Sequence, residues 1–351
     1  MKKINELLTE LKKIKCDGLL VSNPANIKYL SGAPDVGGYL LITPGRKPVY
    51  FTNFIQQGEA RKIKDWQVVV CRGGYFNEAI KTIKAFKLAQ VGFEAKHLSF
   101  LEYKKIKEKL NESAVDFIPA TDLIERLRAV KTAGELSRIK KAIAITEQAL
   151  DFTKEIQDTG MSEKSLAIEV EKFLKIKGDS AVAFPTIVAT GKNSALPHHI
   201  AGQTLLNKNF FLIDLGARSY EYCADLTRVF FWGKMPPHFR KIYAIVKKAQ
   251  NLAIAKIKDG VRAKDVDAAA RVFIEKKGFG KYFGHGLGHG VGIEVHELPY
   301  LNQTSEEILT EGMVVTIEPA IYLAGKFGIR IENMVLVKKQ KGEVISGSIN
   351  W

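Results

Sequence analysis

Residues 283–297 read FGHGLGHGVGIEVHE, with glycine at every second position from Gly284 to Gly292. Three of the chain's seven histidines, His285, His289 and His296, fall inside it. An HxxxH pair such as His285–His289 normally suggests two ligands on one helix face. The glycines argue against a helix here, because each interior glycine costs about 0.8–1 kcal/mol relative to alanine. In an extended chain the glycines share one face, while His285, Leu287, His289, Val291 and Ile293 share the other. A bare glycine face permits close approach of another backbone or of a ligand. A lone histidine is more often structural than functional. Three in one segment, beside the acidic hairpins that flank it in the sequence, favour chemistry.

The first of those hairpins is FFLIDLGARSYEYCADLTRVFFW (210–232), two strand patterns around a polar turn. Symmetry about Ser219 and Tyr220 would place Asp214 opposite Asp225. Like charges in cross-strand positions are destabilising, and Asp is a poor strand residue. Solvent exposure of both is the bland explanation, and their apolar flanks weaken it. The second hairpin, MVVTIEPAIYL (313–323) and GIRIENMVLV (328–337), puts Glu318 opposite Glu332 when centred on Gly325. A shared proton would relieve one such pair, whereas divalent cations would relieve both. A further segment, FPTIVATGKNSALPHHIAG (184–202), ends a strand in a loop bearing His198 and His199, a weak signal alone.

With 351 residues the chain exceeds what one core usually organises, so two domains are expected. In the first third, strand-like runs (GLLVSN, YLLIT, PVYFTN, QVVVC, AQVGF, VDFIPA) alternate with helical patterns (FNEAIKTIKAF, FLEYKKIKEKL). This predicts a small α/β domain over residues 1–122. Residues 123–351 then form a second domain, with helices over 133–156, 162–177, 237–258 and 263–277 segregated from mostly antiparallel strands. That order is α+β, not a doubly wound sheet. Thr132 and Glu135 form a capping box at the head of the first of these helices. No run of about 18 apolar residues marks a membrane span. The N-terminal stretch reads as an amphipathic helix carrying Ile4, Leu7, Leu8, Leu11 and Ile14 on one face, and it lacks the uninterrupted apolar core of a signal peptide. Three cysteines without metal-type spacing read as reduced thiols, and the whole reads as cytoplasmic. The net charge of +15 raises nucleic-acid binding as a possibility. Its lysines, however, interleave with apolar residues at helical spacing, as in YKKIKEKL (103–110) and FRKIYAIVKK (239–248), which is the pattern of solvated helix faces.

Taken in order, DLG…CADLTR, GHGLGHGVGIEVHE, TIEPAIY and GIRIEN resemble the Xaa-Pro metallopeptidases, aminopeptidase P and prolidase, whose pita-bread catalytic fold is shared with methionine aminopeptidase. The likeness covers nearly the whole chain. CDGLLVSNPANIKYLSG (16–32) is similar to that family's N-terminal domain and ERLRAVKTAGELSRIKKA (125–142) to its interdomain junction. The resemblance implies a pita-bread domain with two divalent metal ions per subunit, ligated by Asp214, Asp225, His289, Glu318 and Glu332. It assigns Glu318, His198, His285 and His296 to catalysis, His198, His296 and Arg330 to substrate, and Arg330 also to orienting a ligand carboxylate. His198 rather than His199 matches the family motif. Two positions depart from the usual pattern, Ala320 after the Glu-Pro pair and Asn333 after Glu332. Adjusted packing is expected there, not lost activity.

The resemblance further implies hydrolysis of the bond between an N-terminal residue and a following proline, with a water activated by two metals as nucleophile and Glu318 as proton shuttle. The hard, oxygen-rich donor set favours Mn²⁺ first, with Co²⁺, Zn²⁺ or Fe²⁺ as alternatives. The glycine stretch would let the backbone run close to the metals and substrate. A Xaa-Pro aminopeptidase is expected, acting on peptides with proline second and forming a homodimer. The alternative is a Xaa-Pro dipeptidase, since both share every motif quoted. A non-catalytic pita-bread binding module is disfavoured because all five ligand positions are intact.

Overall fold

The β-branched and aromatic runs of the first third pair into one mixed sheet of six strands: β1 (Gly18–Val21), β2 (Tyr39–Ile42), β3 (Val49–Thr52), β4 (Gln67–Val70), β5 (Gln90–Glu94) and β6 (Asp116–Ala120). The order is β4-β3-β2-β1-β5-β6, antiparallel across β1–β2–β3 and parallel elsewhere. The structure is a computed structural model that describes residues 2–33, 37–111, 113–179, 181–206, 210–233 and 235–347. The helices of this part are α1 (Lys2–Lys13), α2 (Pro24–Ser31), α3 (Gln57–Ala60), α4 (Tyr75–Ala85), α5 (Phe100–Asn111) and α6 (Leu123–Ala129). Ile80 and Ile83 of α4, with Ile106 and Leu110 of α5, close over Leu41, Phe51, Val91 and Phe93. Helix α2 is an element that hydrophobic periodicity does not announce. Its start lies in Asn23, whose side chain accepts from the Ala25 amide at 2.9 Å, followed by Pro24 at the first helical position.

The chain divides into two compact units, Met1–Arg128 and Ala129–Trp351. The second contains α7 (Ala133–Ile156), α8 (Glu163–Lys177), α9 (Pro237–Lys256) and α10 (Ala263–Lys276). The capping box of α7 is reciprocal, with the Glu135 amide donating to Thr132 Oγ1 at 3.3 Å and the Thr132 amide to Glu135 Oε2 at 2.9 Å. Its strands are β7 (Ile187–Thr190), β8 (Phe210–Leu215), β9 (Arg218–Ser219), β10 (Tyr222–Cys223), β11 (Leu226–Phe231), β12 (Gly288–Gly290), β13 (Glu297–Leu301), β14 (Val314–Ile317), β15 (Ala320–Leu323), β16 (Phe327–Arg330), β17 (Asn333–Val337) and β18 (Gly342–Val344). They form sheets ordered β11-β8-β7 and β13-β12-β14-β17-β18, with β15-β16 and β10-β9 as two-stranded ribbons. Every ladder among them is antiparallel, as the α+β pattern requires. Val246, Ala249 and Ala253 of α9 and Val266, Ala270 and Ile274 of α10 share one core with Leu212, Val315, Ile317, Ile329 and Val335. No helix among the described residues is long and apolar enough to cross a membrane.

One register differs from expectation. Asp214 pairs with Thr227, not Asp225. The turn lies one residue later, at Tyr220 and Glu221, both with positive φ (49° and 67°). Neither is glycine or asparagine, so the composition misplaces the turn. Asp179, which accepts from the Glu221 amide at 2.8 Å, and the Arg218–Glu221 ion pair at 2.5 Å hold it there. The resulting shift of partner by two residues preserves side-chain parity, so Asp214 and Asp225 still point to the same face. In the second hairpin, Ala320↔Arg330 and Ile317↔Asn333 follow the register that centring on Gly325 requires.

The glycine stretch forms a strand at β12 only, and its glycines there admit neighbouring backbone. A Cβ at Gly288 would lie 2.0 Å from the Thr316 carbonyl oxygen, and one at Gly290 would lie 2.1 Å from that of Leu298. By contrast, a Cβ at Gly284 would meet nothing within 4 Å. Gly288→Ala should therefore lower stability by about 1–3 kcal/mol or more through forced strand separation. Gly284→Ala should leave the melting temperature close to that of the parent. Equal shifts for the two variants in a thermal melt would refute this account of β12.

Candidate metal centre

Two sheets and the glycine strand meet where Glu318 and Glu332 sit. These residues occupy the break between the β14–β17 and β15–β16 ladders, and there the strands turn away from each other. The Glu318 amide donates to the Leu287 carbonyl at 2.9 Å, and the Glu332 amide to the Thr227 carbonyl at 3.2 Å. The carbonyls of the preceding residues, Ile317 and Ile331, both accept from Gln250 Nε2 of α9 at 3.0 and 2.9 Å. Gln250 is fully buried and satisfies both acceptors that the splayed hairpin leaves open. The break thus aims one acid from each strand towards Asp214 of β8, Asp225 ahead of β11 and His289 of β12.

Asp225, His289 and Glu332 each present a donor atom within 4.8 Å of the others. His289 Nε2 lies 3.3 Å from Glu318 Oε1 and 3.6 Å from Asp225 Oδ2. Its Nδ1 sits 3.1 Å from the Gly290 carbonyl oxygen and donates its proton there, which leaves Nε2 as the nitrogen facing the acids. Arg330 donates from Nη2 to Asp214 Oδ2 at 2.6 Å, from Nη1 to Tyr322 Oη at 2.6 Å and from Nε to Thr227 Oγ1 at 3.0 Å. The Thr227 hydroxyl in turn donates to Glu332 Oε2 at 2.8 Å. One oxygen of each of these two acids is thereby anchored. The others, Asp214 Oδ1 and Glu332 Oε1, are buried without a hydrogen-bond partner.

Burial pushes the Asp225 and Glu332 carboxyls well above the usual range, and neighbouring acids push them further. Asp214 is also raised by burial, against the pull of Arg330. At Glu318 burial acts in the same sense, yet the hydrogen bond and charge of His289, with His285 and Arg330, outweigh it and hold the carboxyl at about 2. His289 loses basicity through burial and regains more than that from Glu318, a net rise. Burial lowers His285 and His296, the latter aided by the charge of His289. Tyr322 is pushed up to about 12, chiefly by burial.

Three buried acids and the half-buried Glu318, against the guanidinium of Arg330 and the imidazole of His289 in contact with them among the described residues, leave a surplus of negative charge. Bare buried carboxylate oxygens are costly unless something cationic faces them. The donors are hard, and the bare oxygens belong to acids whose other oxygen is pinned. These residues fit divalent first-row cations.

The acids line a cavity of about 230 Å³ together with His198, His285, His296, Tyr322 and Arg330, and its apolar wall includes Phe184, Pro185, Ile187 and Val295. The His296 ring lies 4.2 Å from that of His289. His285 sits with Nδ1 2.7 Å from the Gly286 carbonyl and Nε2 3.2 Å from Tyr322 Oη. His199 turns away, with Nε2 2.8 Å from Glu163, which also accepts from the Thr190 amide and Asn193. Asn333 accepts from the buried Arg228 at 3.0 Å, a neutral partner where a second acid is common in the motif. Ala320 is fully buried opposite Arg330. Thr227, Gln250 and Tyr322 were not singled out in the sequence. For Tyr322 and Thr227 a signal existed, since both share strand parity with an acid (Glu318 and Asp225). Gln250 carries none, because a glutamine on a helix reads as a surface residue.

Residues 137–339 match the profile described as Metallopeptidase family M24, and residues 3–130 match the Creatinase/Prolidase N-terminal domain. A Xaa-Pro dipeptidase of Pyrococcus horikoshii is 35% identical over 340 residues, covering 96% of this chain and 94% of the relative. Among solved structures, a Xaa-Pro dipeptidase from Bacillus anthracis superposes with TM-score 0.94 at 33% identity, covering 100% of this chain and 98% of that one. An X-Pro aminopeptidase from Thermotoga maritima gives 0.87 at 35%, covering 96% and 97%.

Carboxyls held protonated must lose their protons when a cation binds. Titration of metal-stripped protein with Mn²⁺ in buffers of different ionisation enthalpy should show proton release, largest at acidic pH and fading as the pH climbs past the raised values of Asp225 and Glu332. Affinity should rise over the same range. Heats independent of the buffer at every pH would contradict this electrostatic picture.

Proposed function

The chain belongs to metallopeptidase family M24, and from that premise we propose that it is a Xaa-Pro exopeptidase, releasing an N-terminal residue that precedes proline. An aminopeptidase of this specificity is the first reading. The Xaa-Pro dipeptidase named among its relatives fits the same site. The observation that carries the assignment is the pair of bare, buried oxygens of Asp214 and Glu332 facing the cavity that His289 and Glu318 also line.

Asp214, Asp225, His289, Glu318 and Glu332 would hold two divalent ions, with Mn²⁺ the first candidate and Co²⁺, Zn²⁺ or Fe²⁺ alternatives. When bound, such ions acidify a coordinated water and polarise a carbonyl oxygen. The protein's own groups do the rest. Arg330 has its guanidinium engaged by Asp214, Tyr322 and Thr227, which supports its role in orienting a ligand acid. The Nδ1–H bond of His289 fixes which nitrogen faces the acids. Glu318, kept ionised, accepts a proton from the attacking water and delivers it to the proline nitrogen as the C–N bond breaks. His198 and His296 hydrogen-bond the peptide. His296 also stabilises the oxyanion, while His285, with Nδ1 on the Gly286 carbonyl and Nε2 against Tyr322 Oη, forms the wall beside it. Phe184, Pro185 and Ile187 supply an apolar wall against which a pyrrolidine ring packs.

Glu318→Gln should retain bound metal while turnover of a Xaa-Pro substrate falls by about 10²–10⁴-fold, the usual scale of a positioned acid–base group. Near-parental turnover with metal bound would remove Glu318 from this role. His289→Ala should lose metal, measured by elemental analysis after dialysis, whereas His296→Ala should keep metal and lose turnover. The opposite result would reverse the two assignments.

A further inference from the structure

Adjoining the catalytic cavity is a second groove of about 350 Å³ that shares Pro185, Ile187 and His198 with it. The volume lies in the ~300–1,000 Å³ range of ligand sites. One wall is a single face of α8, where Lys164, Ile168 and Glu171 recur at helical spacing. The other is the loop that carries His198 and Ile200. None of the five acids and imidazoles proposed as metal ligands lines this groove. Ile168 is 53% exposed and Ile200 is 88% exposed, an apolar pair flanking the groove.

Resting on the exopeptidase reading above, the geometry points to this groove as the binding site for the peptide chain beyond proline, with Lys164 receiving its C-terminal carboxylate. An exopeptidase that holds the substrate amine among the acids must lead the remaining chain away from them. The adjoining groove carries none of those acids and borders the cavity at Pro185, Ile187 and His198. Its Glu171 end is tied to the catalytic wall, where Glu171 Oε1 accepts from the Thr186 amide at 2.9 Å. The Lys164 end lies against Gly202, to whose carbonyl the Lys164 amide donates at 2.9 Å. Between them the helix rises about 10 Å, room for about three extended residues. The Lys164 side chain is exposed and has no ion-pair partner among the described residues. Among the described residues that line the groove, Lys164 is a cation without a counter-ion, and a carboxylate is its complement. Occupancy of this groove makes the enzyme an aminopeptidase for oligopeptides rather than one confined to dipeptides.

The test compares an Ala-Pro dipeptide, an Ala-Pro pentapeptide with a free C-terminus and the same pentapeptide as its amide, on metal-loaded enzyme. The parent should cleave all three at the Ala–Pro bond. Lys164→Glu, a substitution compatible with the first turn of a helix, should raise KM for the free-acid pentapeptide by about 3–10-fold with kcat unchanged, as for loss of one exposed ion pair. The amide and the dipeptide should hardly respond. Ile168→Ser and Ile200→Ser should raise KM for both pentapeptides and spare the dipeptide. Cleavage of the dipeptide but not of the pentapeptides would overturn the inference while leaving the exopeptidase function standing. So would variants that keep the parent's pentapeptide-to-dipeptide ratio. Failure to cleave any of the three would overturn the exopeptidase function itself.

Discussion

Mutual repulsion among buried carboxylates is the constraint on which the catalytic unit depends. Asp214, Asp225, Glu318 and Glu332 converge on one cavity with a single guanidinium, Arg330, among them. Left without cations, such a cluster holds protons, and three of the four acids are shifted upward by burial and by one another. The surrounding polar groups neutralise only part of the charge and otherwise serve to aim it. Arg330 and Thr227 pin one oxygen each of Asp214 and Glu332 and leave the second oxygen bare. A chain that tolerates this arrangement does so for the metal chemistry of its family, because a purely structural core would not retain unpaired acids.

The backbone device behind the cluster is an interrupted hairpin. Its two ladders keep one register, yet at Glu318 and Glu332 the amides bond outward, to Leu287 and to Thr227. Two sheets and the glycine strand are joined through those bonds, and Gln250 from α9 closes the gap behind them. Close packing of β12 against β14 and β13 is possible only because Gly288 and Gly290 carry no side chain. The same closeness delivers His289 to the acids. Beside it, Lys131 and Glu297 form a buried ion pair at 2.9 Å that secures the end of the segment carrying His296.

Much of this was legible in the chain. Alternating apolar patterns located the strands that carry the acids, and the capping box at Thr132 located α7. Centring the second hairpin on Gly325 found its register because a glycine with positive φ occupies the turn. The first hairpin misled for the converse reason. Tyr220 and Glu221 take left-handed conformations that their side chains disfavour, and the contacts compelling them, from Asp179 and Arg218, lie elsewhere in the fold. Parity nevertheless survived the error, since a shift of two residues returns each side chain to its own face. His198 and His199 could be told apart only by resemblance, whereas the fold sends one into the cavity and the other to Glu163.

What the sequence determined by itself is the identity and order of the chemical groups: four acids and a histidine in separated motifs, on strands whose period sets the face each one shares. Periodicity and glycine placement are local properties, and they are readable without knowing what the strands pack against. What only the tertiary structure decided is which oxygen of each acid stays free, which nitrogen of His289 faces them and which groove adjoins the cavity. Those depend on Arg330, Thr227, Gln250 and one face of α8, residues brought in from distant positions by the common core. Their roles lie in bond direction and burial, and no pattern of residue types along a single chain encodes either one.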